Sequence, residues 1–83
     1  MFYVYMLRCR DNSLYTGWTT DVGRRTEEHN KGIGGKYTRA RLPVSLVYIE
    51  NMATKQDAMK REYAIKQFSK SKKEKMILDK IGK

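Results

Sequence analysis

Residues 2–9, FYVYMLRC, constrain the fold of this chain more than any other stretch. They are rich in aromatic and branched residues, which predicts a β-strand. Successive side chains of a strand point to opposite faces, and here both sets are mostly apolar. We therefore expect a central strand with both faces of its sheet covered. In a chain of only 83 residues the core is small, so every element must contribute to it.

The strand is followed by a turn of Arg, Asp, Asn and Ser, residue types that bond their own backbone. Leu14–Thr19 then returns as a second strand. A three-residue loop places Arg10 opposite Leu14, and Tyr5 and Tyr15 then project from the same face. A two-residue loop would put these tyrosines on opposite faces, because a slip of one residue reverses every side chain. We expect the longer loop, or a bulge.

The first helix is expected to begin at Thr20 or Asp21, since both residue types cap helix N-termini. Arg25 and His29 are four residues apart, so they lie one turn apart on one face of this helix. Gly32 is a natural stop.

Residues 32–41, GIGGKYTRAR, are expected to form a flexible basic loop. The stretch lacks the spacing of a Walker nucleotide-binding loop. Lys36, Arg39 and Arg41, placed among glycines, suit a segment that lies along a nucleic-acid backbone. A solvated connector is an equally good interpretation of the same residues.

Pro43 introduces a third strand, Val44–Glu50, which is again apolar on both faces. Thr54 is expected to cap the second helix, and Ser71 with Glu74 forms a capping-box pattern for the third. The apolar side of that third helix is expected from Met76, Ile77, Leu78 and Ile81.

The predicted order is β-β-α-β-α-α over a single domain, residues 1–83. The fold class is α+β, a small three-stranded antiparallel sheet flanked by about three helices.

Glu62 is a carboxylate placed among apolar positions. It lies at the i+4 position of a stripe that begins at Ala58 and continues to Ile65, where a solvated residue is not expected. A metal ligand is one interpretation, and an ion pair with a neighbouring Lys or Arg is the other. Cys9 is the one cysteine, which excludes an internal disulfide and a cysteine metal cluster, and it is expected to be buried.

The net charge of +9, from 18 Lys and Arg against nine Asp and Glu, indicates a polyanionic partner, above all nucleic acid. A basic ribosome-associated or merely soluble protein is the alternative. No helix shows a broad apolar face opposite its lysines, so a membrane partner is not expected. Without a long apolar run or a signal-like segment, we expect a cytoplasmic protein.

Taken together, these residues resemble the GIY-YIG nuclease family, in its short stand-alone bacterial branch. The triplet at residues 3–5 (YVY) stands at the first motif and residues 15–17 (YTG) at the second, and their functional tyrosines, Tyr5 and Tyr15, are ten positions apart. Arg25 follows the second tyrosine by ten, and His29 follows Arg25 by four. Glu62 lies in the later helix, where the family has its metal-binding glutamate. The resemblance covers nearly the whole chain.

The resemblance implies a divalent-cation-dependent endonuclease. Glu62 would hold one Mg²⁺ or Mn²⁺ ion, and Arg25 would bind the scissile phosphate. His29 would accept a proton or orient the attacking water. One of Tyr5 and Tyr15 would act as the base while the other positions the water, and the resemblance leaves their assignment open.

Gly17 of the second motif is expected to have a structural role, letting the backbone approach its neighbours or the substrate. The chain departs from the family at Tyr3 and Val4, where the family has Gly and Ile. It also has no asparagine after Glu62, where some members use one.

Three functions are compatible with these residues. The first is a DNA endonuclease selective for branched or damaged structures in repair or recombination, with RNA not excluded as a substrate. The second is a nucleic-acid-binding module that kept the fold without cutting. The third is an interaction protein that docks on an acidic partner.

Overall fold

The computed structural model describes residues 1–81 and has an α+β architecture with an antiparallel sheet, as predicted. The elements in chain order are β1 (Phe2–Arg8), β2 (Leu14–Thr19), α1 (Val22–Asn30), α2 (Lys36–Arg39), β3 (Ser45–Met52), α3 (Lys55–Lys66) and α4 (Lys70–Ile81). The predicted order of strands and long helices is confirmed, and the short helix α2 is an addition to it.

β1 is the middle strand of the sheet, whose order is β2-β1-β3. Side chains alternate along β1, so this strand contributes apolar residues to both faces of the sheet, as its sequence predicts. One face carries the core formed by Val4, Met6, Tyr48, Ala58, Ile65 and Ile77, beneath α3 and α4. The other carries Tyr5, Leu7, Cys9 and Val44, with α1 packed beside them. Two small cores therefore share one sheet, and the predicted burial of Cys9 is confirmed.

The β1–β2 register differs from the one predicted. Arg8, rather than Arg10, lies opposite Leu14, so the connection spans residues 9–13. Asn12 has a positive φ of 71°, and the Asp11 carboxylate accepts bonds from the next serine's backbone N–H and hydroxyl. These local bonds make a wider loop than the predicted one. The shift is two residues, which preserves the direction of every side chain, so both motif tyrosines still share a face.

Two of the three predicted helix caps are confirmed. The carboxylate of Asp21 accepts the backbone N–H of Arg24 at 3.0 Å, and the Thr54 hydroxyl accepts that of Asp57 at 3.0 Å. The prediction for α4 is wrong, because Ser69 caps it instead of Ser71.

Glu74 explains the failure of the predicted capping box in α4. Its carboxylate is engaged by Arg8 of β1 through two bonds of 2.6 and 2.7 Å, which fasten α4 to the sheet. The predicted apolar side of α4 is also partly wrong, since Ile77 is buried whereas Leu78 is 67% exposed. The side chain of Ile81 lies outside the described residues.

The basic segment after α1 is not simply a loop. Residues 36–39 form the single helical turn α2, and Thr38 within it is wholly buried. The Asn30 side chain bonds both the N–H and the C=O of Val44, at 2.7 and 3.0 Å, and so holds the return of the chain into β3. Within the described part of the chain, no helix has the length and apolar character needed to cross a bilayer.

Candidate active site

A buried hydrogen bond joins two of the predicted catalytic residues. Tyr5 projects from the middle of β1, and its hydroxyl lies 3.0 Å from Nε2 of His29 on α1. The exposed fraction is 1% for Tyr5 and zero for His29. Buried polar groups in folded proteins are hydrogen-bonded, and this bond therefore fixes the positions of both side chains.

Thr38 extends this pair to a chain of three side chains. Its hydroxyl lies 2.8 Å from Nδ1 of His29 and 3.4 Å from the backbone oxygen of Gly35, to which it donates. A hydroxyl that donates to Gly35 accepts from Nδ1–H, so the network assigns the proton to Nδ1. Nε2 is then an acceptor, and the Tyr5 hydroxyl donates to it.

Thr38 is not among the site residues predicted from the sequence. A threonine among glycines and basic residues has no periodicity to mark it as buried, because α2 is a single turn. The sequence marks Thr38 only as an uncharged residue within an exposed, basic stretch, which is a weak indication of burial.

Two glycines allow this chain of side chains to pack. A Cβ added at Gly17, which lies opposite Tyr5 in the sheet, would lie 2.6 Å from the Tyr5 hydroxyl oxygen. A Cβ at Gly34 would overlap the His29 ring and lie 2.7 Å from the His29 Cα. Both approaches are too close for a side chain, so both positions require glycine.

Tyr15 stands beside the buried pair but is more open. Its ring centroid is 5.1 Å from that of His29 and 6.4 Å from that of Tyr5, and it is partly exposed. The structure thus separates the tyrosines: Tyr5 is bonded to the histidine inside, and Tyr15 faces the outside.

The protonation states follow from burial and from Arg25. Burial raises the pKa of Tyr5 to about 12, and the charges of Tyr15 and Glu62 act in the same direction. Arg25 opposes this shift. Burial, followed by the charge of Arg25, lowers the pKa of His29. Near neutral pH the pair is therefore a neutral phenol donating to a neutral imidazole.

Arg25 is held in position by hydrogen bonds, and part of its side chain remains exposed. Its guanidinium donates to Glu28 at 3.0 Å and to the backbone oxygen of Gly34 at 2.7 Å. The bond to Glu28 raises the pKa of Arg25. Its side chain is 31% exposed, so part of the guanidinium remains accessible to an anion next to the Tyr5 and His29 pair.

Glu62 lies on α3, on the other face of the sheet from Tyr5 and His29. Arg61 and Glu62 flank the buried line of α3 on opposite sides, since successive helical residues turn by about 100°. Arg61 bonds Glu50 of β3 at 2.7 Å, which directs Glu62 towards β2. The Glu62 side chain is 21% exposed and lies 3.6 Å from Lys66. Glu62 is connected with the tyrosines through its charge, which acts to raise the pKa of Tyr5.

The two faces of the sheet meet at the free edge of β2. A cavity of about 250 Å³ lies there, and its walls come from β2, α2, α3 and α4. They are formed by Leu14, Tyr15, Thr16, Tyr37, Lys66 and Lys73. Because β2 is an edge strand, residues of α3 and α4 on one face and of α2 on the other line the same cavity.

The three basic candidates of the segment around α2 are placed differently. Lys36 and Arg39 are exposed. Arg41 is tied down, donating to the Asp11 carboxylate at 3.0 Å and to the Tyr37 backbone oxygen at 2.9 Å. Its guanidinium also lies 3.8 Å from the centroid of the Tyr37 ring.

The side chains described by the structure include no cluster of three or more His, Cys, Asp and Glu that could hold a metal ion. Glu62 is a lone carboxylate. That donor set fits Mg²⁺, which keeps several waters and completes its coordination with one or two carboxylates and substrate phosphate. It does not fit Zn²⁺, which needs three or four protein ligands.

The chain is similar to known proteins over most of its length. Residues 1–75 match the family model described as the GIY-YIG catalytic domain. A UPF0213 protein of Staphylococcus haemolyticus is 57% identical over 75 residues, covering 90% of this chain and 92% of that protein. A UPF0213 protein of Natronomonas pharaonis is 52% identical over 80 residues, covering 96% and 94%.

Two solution NMR structures have a similar fold. The UPF0213 protein BH0048 from Bacillus halodurans is 49% identical, with a TM-score of 0.59, covering 93% of this chain and 83% of that one. The protein EF2693 from E. faecalis is 38% identical, with a TM-score of 0.63, covering 98% and 86%. Relatives therefore occur in archaea as well as bacteria, and their names give a family rather than an activity.

Proposed function

The chain belongs to the GIY-YIG nuclease family, and on this premise we propose that it is a divalent-metal-dependent endonuclease that hydrolyses DNA phosphodiester bonds. We propose that it selects branched or damaged structures, in repair or recombination, and that one domain of 83 residues does this. The observation that carries the proposal is the buried chain Tyr5–His29–Thr38 with Arg25 beside it. A buried polar chain of this kind points to function, because a core needs no such chain for stability.

In the proposed reaction a water oxygen attacks phosphorus and the bond from phosphorus to the leaving oxygen breaks. Tyr5 accepts the proton of the water while its own proton passes to Nε2 of His29. A phenol of pKa about 12 is not ionised beforehand, so this transfer accompanies the attack. The departing oxygen takes a proton from solvent. Tyr15, the more exposed tyrosine, positions the water.

Arg25 is proposed to bind the phosphate that is cut, because its partly exposed fork suits two phosphate oxygens. Thr38 keeps the His29 tautomer that can accept a proton. Glu62 would hold the divalent cation, which when bound supplies charge stabilisation at the phosphate. Lys36 and Arg39 would contact the DNA backbone without reading sequence.

The test is cleavage of a DNA panel that includes duplex, flap, bulge and four-way junction, with Mg²⁺ or Mn²⁺ and with EDTA. We expect metal-dependent products from the wild type, and losses of roughly 100-fold or more in Arg25→Ala and Glu62→Ala. Arg24→Ala, which removes an arginine that is 59% exposed, and Glu27→Ala, on the exposed side of α1, are matched controls that should retain activity. Cleavage at the wild-type rate in both site variants would overturn the proposal.

A binding module without catalysis is the second candidate. The ion pair of Glu62 with Lys66 favours it, because that carboxylate already has a cationic partner. The net charge of +9 serves both candidates equally. This function predicts DNA affinity that falls steeply with salt, persists in Glu62→Ala, and is accompanied by no metal-dependent products.

A further inference from the structure

The cavity at the free edge of β2 shares Tyr15 with the reaction described above, and its other lining residues have no role in that reaction. It opens beside Tyr15 and has a volume of about 250 Å³. We propose that it binds one unpaired nucleotide of the DNA substrate, adjacent to the phosphate that is cut. This inference rests on the proposed function and adds the substrate class, DNA that carries unpaired nucleotides.

The aromatic part of the cavity is formed by Tyr37 and Tyr15. Their ring centroids are 6.2 Å apart and the rings are 25° from parallel. Tyr37 is 40% exposed, so part of its ring is accessible from the cavity. Arg41, 3.8 Å from its centroid, covers one face of the ring and fixes the ring in place, so a base can stack only on the part that Arg41 leaves open. An ordered aromatic ring at the mouth of a cavity is the surface on which bases stack in single-strand-binding proteins.

The cationic part comes from two helices. Lys66 of α3 and Lys73 of α4 both line the cavity. Lys66 is paired with Glu62 at 3.6 Å, whereas no carboxylate of the described residues lies within ion-pair distance of Lys73. A free ammonium next to a stacking surface binds the phosphate of the nucleotide whose base lies on that surface.

The third wall is the edge strand itself. Backbone polar groups on the outer side of an edge strand are unpaired and can bond a base. Thr16 also lines the cavity, and its side-chain oxygen is buried without a hydrogen-bond partner in the described structure. The wall therefore offers backbone polar groups of β2 to a base, whereas the Thr16 hydroxyl is enclosed within the protein.

The size of the cavity sets the substrate class. Pockets for drug-sized ligands usually begin at about 300 Å³, so this smaller cavity suits a single base. A base inside a duplex is stacked on both faces and cannot reach the cavity without being unpaired. Flaps, bulges and junction ends present bases that are already free, so they are expected to bind more tightly than continuous duplex.

The experiment measures fluorescence anisotropy of labelled DNA in EDTA, so that nothing is cut. A duplex with a single-stranded flap is compared with a continuous duplex of equal phosphate number, over a range of salt. We expect the wild type to bind the flap DNA about tenfold more tightly, as one stacked base would provide. Tyr37→Leu should remove that preference, and Tyr37→Phe should retain it.

Matched controls separate the cavity from general charge and from surface aromatics. Tyr63→Leu changes a tyrosine that is 69% exposed on α3 and should leave the preference unchanged. Lys73→Ala should lower the slope of log affinity against log salt by about 0.7–0.9 for the flap DNA, whereas Lys75→Ala, on the exposed side of α4, should not. Thermal melting of each variant reports whether it is folded, and Lys73→Ala tests the site if Tyr37→Leu does not fold.

The inference is overturned if flap and duplex bind equally, or if the control variants lose as much as the cavity variants. The same variants, assayed for cleavage with Mg²⁺, separate its failure from failure of the proposed function. Loss of flap binding in Tyr37→Leu without cleavage of any DNA by the wild type would retain the binding site and reject the nuclease. Cleavage by the wild type, together with an unchanged preference for flap DNA in Tyr37→Leu, would support the nuclease and reject the binding site.

Discussion

The two faces of the β1–β2–β3 sheet are built for different purposes. Beneath α3 and α4 the buried side chains are apolar, Ile65 and Ala58 among them, and close on Val4 and Met6. Beneath α1 and α2 the same sheet buries a tyrosine, a histidine and a threonine joined by hydrogen bonds. One strand thus carries an apolar core on one side and a hydrogen-bonded group of polar side chains on the other.

The difference between the faces shows how a very small protein can bury a network of polar side chains and remain folded. Burying polar groups costs free energy even when they are paired, because the gain from each hydrogen bond is only about 1 kcal/mol. The apolar face, together with the Arg8–Glu74 pair that ties α4 to β1, supplies stability that the polar face does not. Substitutions of buried side chains on the two faces should therefore differ in whether they change activity or folding.

The largest effect is expected from Tyr5→Phe, which removes one hydroxyl and leaves the ring. Loss of a proton-transfer group lowers the rate by roughly 10²–10⁴-fold. The free energy of unfolding should fall by only about 1–3 kcal/mol, because Nε2 of His29 loses its partner. Steady-state cleavage and urea denaturation measure the two. Tyr3→Phe, two residues along the same face of β1, is the control and should be near wild type.

Ile65→Ala tests the opposite face. Ile65 is wholly buried, and truncating such a side chain costs about 2–5 kcal/mol of unfolding free energy. The rate per folded molecule should remain near that of the wild type, since the polar chain is on the other side of β1. Tyr63→Ala on the exposed side of α3 should change stability by no more than about 0.5 kcal/mol. If Ile65→Ala lowered the rate as much as Tyr5→Phe, the division between the faces would be wrong.

Gly34→Ala should damage the polar face through shape alone. The new Cβ overlaps the His29 ring, and overpacking of this kind costs about 1–3 kcal/mol. Displacement of His29 should also lower activity. Gly23→Ala is the matched substitution, because its Cβ meets only Asp21 at 3.7 Å and alanine favours a helix by up to about 1 kcal/mol. Opposite signs of the two stability changes, measured by denaturation, are the expected result.

The smallest effect is a difference in acid sensitivity. The pKa of His29 is below 6.5 in the folded protein, so the unfolded chain binds more protons as pH falls past that value, and stability declines from there. On the other face the bond from Arg8 lowers the pKa of Glu74 from 4.5 to about 2, so its contribution is lost as pH falls through that range. Denaturant midpoints against pH should show both windows.

Two variants assign these windows to their faces. His29→Leu should remove the decline that begins near 6.5, and Glu74→Gln should weaken the decline between 4.5 and 2. A single transition, unchanged in both variants, would show that other groups govern acid unfolding.

Much of the site follows from spacing along regular elements. Arg25 and His29 share a face because a helix repeats every 3.6 residues, and Tyr5 and Tyr15 share a face because a strand repeats every two. That second inference held although the predicted register was wrong, since a shift of two residues preserves parity. The inward direction of Glu62 also followed from its position between Ala58 and Ile65, and the structure leaves it only 21% exposed.

The failures come from contacts between residues far apart in sequence. Ser71 matched the local pattern of a cap, but Glu74 bonds Arg8, 66 residues away, and so does not complete it. Thr38 had only a weak local signal, because its burial depends on His29 reaching it from α1. Tyr37 and Lys73 meet at one cavity only because β2 is an edge strand.

The sequence by itself determined the strands and the three long helices, the two-sided central strand and the faces on which the five catalytic candidates lie, because these depend on short-range periodicity. The tertiary structure alone decided that His29 lies between Tyr5 and Thr38, that Gly34 must lack a side chain, and that α3 and α2 share a cavity. Those features depend on distances of a few ångströms between distant segments, which side-chain patterning along the chain does not specify.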